Sequence, residues 1–138
     1  MNYDIINTSI NYSVPTYEIK IPVGTQTLKM QIFADSITFK TIHWYVSMCL
    51  YSKRKQIDNN FDFIKTTGKN TGLSALVNAK NSLVWFESYI KEHYCDYNNV
   101  MVVQWLDNRR KKIYTHNLKD IGYAKGMYQH KEALLKKI

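Results

Sequence analysis

The stretch Phe61–Ile90, FDFIKTTGKNTGLSALVNAKNSLVWFESYI, decides how the rest of the chain is interpreted. Phe61–Thr66 favours a short strand, and from Leu73 the apolar residues recur every three or four positions, which predicts an amphipathic helix. The loop TTGKNTG, residues 66–72, joins the two. A glycine-containing loop that leads into a helix N-terminus is a common anion site, because its amides and the positive end of the helix dipole face the ligand.

The predicted helix has one broad apolar stripe, and Asn70 or Thr71 is its expected N-cap. Val77 and Val84 are expected to widen the stripe. Its central members are Leu73, Leu76, Ala79, Leu83, Phe86 and Ile90.

Upstream of this stretch, alternating residues predict a β-meander after an irregular lead-in over residues 1–16. Pro22 indicates a sheet edge or the end of a strand, since proline cannot donate to the ladder. The predicted elements are a strand Tyr17–Val23 with Tyr17, Ile19, Ile21 and Val23 on one face, a hairpin connection from Gly24, a strand Leu28–Ala34 with Leu28, Met30 and Ile32 buried, a turn at Asp35–Ser36, a strand Ile37–Ser52 bent or divided near Thr41, and a polar loop Gln56–Asn60.

Downstream, the nearly continuous apolar run Val100–Leu106 predicts a strand that is buried on both faces. Asp107 then caps a second helix from Asn108 to about Ile121, and Gly122 ends it. The final segment favours a strand through Met127–Ala133, with a loop and a terminal helical turn as the alternative. The apolar stripe of the second helix consists of Ile113 or Tyr114, Leu118 and Ile121.

Together these elements predict an α/β (α+β) fold with a mixed, mostly antiparallel sheet, an N-terminal β-meander and two helices packed on the sheet. Residues 1–138 fit a single domain, since about 100–150 residues is the commonest domain size.

Composition narrows the classes of protein that fit. No segment looks like a signal peptide or approaches the roughly 20 apolar residues that a membrane helix needs, so we expect a soluble, cytoplasmic protein. Cys49 and Cys95 lack CxxC spacing, which argues against a disulfide framework. His43, His93 and His116 show no metal-ligand spacing, nor does His130, and no metal site is expected.

Positive charge is concentrated near the C-terminus. The chain has a net charge of +8, and from Arg109 to Ile138 nine lysines and arginines face only two acids. Such a field attracts nucleic acid, a phosphorylated cofactor or an acidic protein surface, although a solvated basic face is an equally good interpretation.

The loop at residues 66–72 lacks the first glycine of a nucleotide-binding P-loop, and Asn70 replaces its Ser or Thr. It fits a general amide nest for a pyrophosphate, with charge from Lys69 and hydroxyls from Thr67 and Thr71. It equally fits a strand-to-helix turn that needs glycine for its backbone angles.

This order of elements, followed by a D-x-x-R-x-x-I-Y helix that ends in Gly-Tyr, resembles the second half of the GCN5-related N-acetyltransferases (GNAT). Lys65 stands where that family has the basic residue that leads its glycine loop, and Gly68 stands for the first glycine. The later helix of the family matches Asp107, Arg110, Ile113 and Tyr114, with Gly122 and Tyr123 at its end.

The resemblance implies an N-acetyltransferase that binds acetyl-CoA and transfers an acyl group to an amine. It implies that Tyr114 lies near the cofactor sulfur and protonates the leaving thiolate. The residues implied in pyrophosphate binding are Lys65, Gly68, Lys69, Asn70, Thr71 and Gly72.

The alternative is a phage or mobile-element protein of the same fold that acts as a structural or binding module. In that case a basic cluster would bind either the phosphates of a nucleic acid or the acidic surface of a protein partner. This cluster consists of Arg109, Arg110, Lys111 and Lys112.

Overall fold

The structure, a computed structural model, describes residues 5–9, 13–23, 26–52, 55–59, 71–105 and 108–138. Within these ranges two helices accompany one mixed sheet. The strands are β1 (Ile5–Asn7), β2 (Thr16–Val23), β3 (Gln26–Thr38), β4 (Thr41–Ser52), β5 (Lys55–Asn59), β6 (Asn98–Val103), β7 (Ala124–Tyr128) and β8 (Lys131–Lys137); the helices are α1 (Thr71–His93) and α2 (Asn108–Leu118), and a 3₁₀ turn, Lys119–Ile121, continues α2.

The strand order of the sheet is β1-β2-β3-β4-β6-β8-β7, and β5 pairs with the far end of β4. Among the described pairs, β4 and β6 are parallel and all others are antiparallel. The connection from β4 to its parallel partner β6 includes β5 and then α1. The predicted class, a mostly antiparallel mixed sheet with an N-terminal meander and two helices, is confirmed at this level.

The alternation predicted for the first two long strands is confirmed. β2 pairs with β3 from Thr16 opposite Phe33 to Val23 opposite Gln26. Pro22 lies next to the last residue of β2, as expected for a strand end. The residues predicted to share the buried face are all in the core: Tyr17, Ile19, Ile21, Val23, Leu28, Met30 and Ile32.

The turn predicted at Asp35 and Ser36 is wrong, because β3 continues through these residues to Thr38. The pairing with β4 shifts between Ala34 and Ser36, so Asp35 is the extra residue of a β-bulge. A bulge bends a strand and redirects its side chains, which allows polar residues to remain within a strand where the sequence suggests a turn.

The hairpin between β3 and β4 turns at residues 39–40, and Lys40 has a φ of 62°. The strand predicted over Ile37–Ser52 is therefore divided just before Thr41, as expected, and its first two residues belong to β3.

The helix predicted from Leu73 to Ile90 is confirmed and extends from Thr71 to His93. The expected widening of its stripe is wrong, because Val77 and Val84 are 49% and 41% exposed. The helix contacts the sheet along one narrow side only. The buried residues on this side include Leu76, Ala79, Leu83, Phe86 and Ile90.

Both helices lie on the same face of the sheet, since Tyr114 and Leu118 of α2 belong to the same hydrophobic cluster as Phe86 of α1. We call this the helix face. The other side, the open face, has a small cluster of its own in which Tyr45 and Leu135 pack against three buried residues, Val102, Tyr128 and Ala133.

The end of α2 follows the prediction. Gly122 adopts a left-handed conformation with φ 99°, and its N–H donates to the Lys119 carbonyl at 3.1 Å. A side chain would be strained at this angle, which explains the glycine.

The single strand predicted over Met127–Ala133 is wrong, because this segment contains a hairpin. β7 ends at Tyr128, and the turn residues Gln129 and His130 have φ values of 49° and 67°. β8 then returns between β6 and β7. No glycine or proline marks this turn, so the sequence gives no breaker signal.

Other predicted boundaries also change. The lead-in contains β1, and the predicted polar loop Gln56–Asn60 is wrong since Lys55–Asn59 forms β5. The strand predicted at Val100–Leu106 is β6, which ends at Val103. Phe61–Thr66 and Asp107 lie outside the described residues.

One buried carboxylate fastens three elements on the helix face. Glu87 of α1 is 5% exposed. The Tyr123 hydroxyl donates to its Oε2 at 2.8 Å, and the Lys136 ammonium of β8 donates to its Oε1 at 2.6 Å. Because both oxygens are bonded, α1, the segment after α2 and β8 are held together without an unpaired buried charge.

Candidate functional site

The most distinctive feature of the sheet is a fork between β4 and β6. The two strands pair in parallel from Thr41 opposite Asn98 to Tyr45 opposite Val102. Beyond this point β4 continues to Ser52, and its residues from Cys49 onward pair with β5. Within the described chain, residues 46–48 of β4 therefore pair with neither β5 nor β6.

A cavity of about 330 Å³ lies beside the fork. Tyr45 is the last residue of β4 to pair with β6, and Gln104 and Trp105 directly follow β6. The cavity therefore opens where the parallel strands separate. Its lining residues are Tyr45, Gln104, Trp105, Lys131 and Glu132.

Hydrogen bonds and a ring contact fix several of these side chains. Gln104 donates from Nε2 to the Tyr128 carbonyl at 3.2 Å. Lys111 of α2 donates to Glu132 Oε2 at 2.7 Å, and its ammonium lies 5.8 Å from the centre of the Trp105 ring. The cavity wall is thus held in place from both β8 and α2.

The pKa values of two titratable groups of the cavity are shifted in opposite directions. Burial, followed by the nearby Asp35 carboxylate, raises the pKa of Tyr45, so that this phenol keeps its proton. The hydrogen bond from Lys111, and then its charge, lower the pKa of Glu132 below its usual range. At neutral pH the cavity is therefore lined by a protonated phenol and an ionised carboxylate.

A second polar cluster on the open face supports this site. The Tyr128 hydroxyl donates to Asp35 Oδ2 at 2.5 Å, and the Gln129 amide reaches the same oxygen at 3.4 Å. Burial, followed by this hydrogen bond, raises the pKa of Tyr128. The His43 ring lies 5.1 Å from that of Tyr128 in a tilted arrangement, and its Nδ1 is buried without a hydrogen-bond partner in the described part of the protein.

The direction of α1 brings its N-terminus toward the open end of the fork. Near its C-terminal end, the Tyr94 ring lies 4.9 Å from that of Trp44, early in β4. Farther back along α1, Ser82 Oγ lies 3.8 Å from Met30 Sδ, and Met30 pairs with Met48 late in β4. α1 therefore runs antiparallel to β4. Because α2 follows β6 after a short connection, its N-terminus lies at the same end.

Most of the residues predicted for pyrophosphate binding cannot be placed. Lys65, Gly68, Lys69 and Asn70 lie outside the described residues. Thr71 and Gly72 are the first two residues of α1. The anion-binding loop stays a prediction, and its placement directly before a helix agrees with the observed start of α1.

Tyr114, the predicted catalytic residue, is 1% exposed and belongs to the core of the helix face. It lines neither the cavity beside the fork nor the cavities that include Lys112 and His43. Its catalytic role stays a prediction.

The predicted basic face occupies the first turn of α2. Arg109 and Arg110 lie within the helix, and Lys111 and Lys112 line a second cavity of about 570 Å³. Lys119 and Lys125 also line this cavity, although the sequence prediction did not include them among site residues.

Sequence reasoning missed Tyr45, Gln104 and Glu132. The signal for Tyr45 was the alternation in β4, where Ile42, Trp44, Val46 and Met48 are core residues and the intervening side chains form the other face. Gln104 and Glu132 had no comparable signal, because β6 and β8 are distant in sequence.

Comparisons of the chain with protein-family models, curated proteins and solved structures find no match. In the described residues no helix is long and apolar enough to cross a membrane. The same residues contain no group of three His, Cys, Asp or Glu side chains placed to hold a metal ion.

Proposed function

We propose that this protein is a GNAT-like domain that binds acetyl-CoA and transfers its acyl group to an amine. The observation that carries the proposal is the fork, at which the parallel strands β4 and β6 separate next to an acid–base pair of side chains. From α1 onward, the order helix, strand and helix is also the order that the sequence resemblance implies.

The chemistry of the cofactor suits the fork. The pantetheine arm of acetyl-CoA carries amide groups, so it can hydrogen bond as an added strand does to the backbone of residues 46–48, which pair with neither β5 nor β6 in the described chain. Its pyrophosphate would then lie toward the N-terminus of α1, where the helix dipole and free amides favour negative charge. The loop at residues 66–72 is the expected partner for this group.

In acyl transfer, the amine nitrogen attacks the thioester carbonyl, a C–N bond forms and the C–S bond breaks. The amine loses a proton and the leaving thiolate gains one. We assign the proton acceptor to Glu132, acting directly or through a water molecule, because this carboxylate lines the cavity beside Tyr45. Tyr45 is our candidate for the donor, since it lines the cavity and keeps its proton.

Two tyrosines compete for the donor role, and conservative variants separate them. If Tyr45 is the donor, Tyr45→Phe lowers turnover by about 10²-fold or more and leaves acetyl-CoA affinity nearly unchanged. If Tyr114 is the donor, as the sequence resemblance implies, Tyr114→Phe has that effect instead. Turnover is measured as thiol release from acetyl-CoA with a panel of amines and lysine peptides.

Binding is tested first, by calorimetry and thermal shift with acetyl-CoA. Tyr45→Ala should weaken binding, whereas Tyr97→Ala serves as the matched control, because Tyr97 is exposed and precedes β6 at the closed end of the fork. The absence of both heat and thermal shift at millimolar acetyl-CoA would reject the proposal and leave a non-catalytic binding module as the better description.

A further inference from the structure

The second cavity forms a groove along α2, and we call it the α2 groove. It has a volume of about 570 Å³ and lies between α2, the 3₁₀ turn that follows and β7. Its lining residues are Asn108, Lys111, Lys112, Thr115, His116, Lys119 and Lys125.

The sequence spacing explains why these side chains meet. Asn108, Lys111, Lys112, Thr115 and Lys119 recur at intervals of three and four, which places them on one side of a helix. From residue 108 to residue 119 this side is about 16 Å long at the usual helical rise. Lys125 of β7 then adds a fourth ammonium group to the wall of the groove.

Acidic neighbours balance only part of this charge. Lys111 is paired with Glu132 at 2.7 Å. Asp120, close to the groove in sequence, is paired with Lys80 of α1 at 3.2 Å. Lys112 and Lys119 make no ion pair with any residue that the structure describes. Lys125 makes none either, although its charge adds to the lowering of the Glu132 pKa that Lys111 causes. Like charges on one helix face repel, so the described part of the groove favours a negatively charged ligand.

The remaining lining groups narrow the class of ligand. Thr115 Oγ1 is buried and has no hydrogen-bond partner among the described residues, so it adds an unpartnered polar atom to the wall of the groove. Asn108 contributes an amide. Among the described lining residues the only aromatic ring is the imidazole of His116, whereas four are lysines, which favours recognition of phosphate over recognition of bases.

We propose that the α2 groove binds a row of phosphate groups, as found in a nucleic-acid backbone or in a polyphosphate. Lys112, Lys119 and Lys125 supply the charge. The groove adjoins the fork cavity through Lys111, which pairs with Glu132, but its proposed role does not depend on acyl transfer.

Binding is measured by fluorescence anisotropy with a labelled 15-base-pair DNA duplex between 50 and 200 mM salt, and in parallel by thermal shift with tripolyphosphate. The test variant is Lys112→Gln/Lys119→Gln/Lys125→Gln. The control variant, Lys20→Gln/Lys91→Gln/Lys137→Gln, removes the same charge from exposed lysines that do not line the groove.

We expect the groove variant to lose at least tenfold in affinity at low salt and its salt dependence to weaken by about one unit of slope per lysine removed. The control variant should retain most of the affinity. Thermal unfolding of both variants verifies that they fold, and the groove variant should be no less stable than the native chain because repulsion is relieved.

The two sources of phosphate are separated by the two ligands. Binding of both ligands supports a backbone site, and a tripolyphosphate shift without duplex binding supports a site for small polyphosphates. Equal losses in the groove and control variants would overturn the proposal, since net charge alone would then explain binding. So would failure of both ligands to bind at 50 mM salt. A lack of acetyl-CoA binding would leave this result untouched.

Discussion

The two faces of the sheet differ in how deeply their side chains are buried and in how polar they are. On the helix face, large apolar side chains such as Trp44 and Phe86 are fully buried, and the buried carboxylate of Glu87 has a partner for each oxygen. On the open face, polar and aromatic groups alternate, and His43 Nδ1 is left without a partner in the described chain. The helix face therefore contributes most of the buried apolar core, whereas the open face has a smaller core and more polar side chains.

The largest effect is expected from a cavity in the helix face. Phe86 is fully buried, with the rings of Tyr17 and Tyr89 5.7 and 5.5 Å from its own. Phe86→Ala should lower the free energy of unfolding by about 3–5 kcal/mol in urea denaturation. Phe33→Ala on the open face is the control, and because Phe33 is only partly buried its cost should be about 2 kcal/mol or less. Equal costs would mean that the two faces do not differ in packing.

A smaller effect is expected when the buried ion pair is broken. Lys136→Met leaves the Glu87 carboxylate with Tyr123 as its remaining partner in the described structure. The expected loss is about 1–3 kcal/mol, below the usual range for fully buried pairs because the Lys136 side chain is partly exposed.

The double variant Glu87→Gln/Lys136→Met sharpens this test. Removing the charge from both partners should recover part of the loss, since no unpaired carboxylate stays buried. If the losses in the free energy of unfolding of the two single variants add up in the double variant, then Glu87 and Lys136 do not stabilise each other.

On the open face, Tyr128→Phe removes the hydrogen bond to Asp35 and should cost about 0.5–1.5 kcal/mol. The effect depends on pH. Because the folded protein raises the pKa of Tyr128, the stabilisation is fully present below the unfolded value and is lost as pH rises through the folded one. The native chain should therefore be more stable than the variant at neutral pH, and this difference in the free energy of unfolding should shrink at strongly alkaline pH. A constant difference would argue against this coupling.

The smallest effect is expected at the exposed pair Lys111–Glu132. The lowered pKa of Glu132 means that its contribution is present above the unfolded value near 4.5 and is lost as pH falls through the folded value. Glu132→Gln should shift the thermal midpoint only slightly, and only above this range. An NMR titration of the Glu132 carboxyl carbon checks the direction of the pKa shift directly.

Much of the helix face was predictable because it follows simple periods. Tyr17–Val23, Leu28–Ala34 and the α1 stripe each repeat at two or at three to four residues, and burial on one side enforces the pattern. Gly122 was predictable for a different reason, since only glycine adopts its left-handed angle without strain.

The open face and the sites were less predictable, because they depend on pairings distant in sequence. The bulge at Asp35 looks like a turn when it is read locally, and its partner Tyr128 lies 93 residues away. The β7–β8 turn uses Gln129 and His130 at positive φ, where glycine or asparagine would have marked it. The basic cluster of α2 was visible in the sequence, whereas the contribution of Lys125 depends on the hairpin.

The placement of β8 has a consequence for how the protein forms during synthesis. β8 follows β7 in the chain, yet it lies inside the sheet, between β6 and β7. The β1–β4 meander is assembled from neighbours in sequence and can pair early, whereas β6 lacks its partner on that side until residues 131–137 have been made. A ribosome-bound chain that ends before β8 would expose an unpaired strand edge, the kind of surface on which chaperones and aggregation compete.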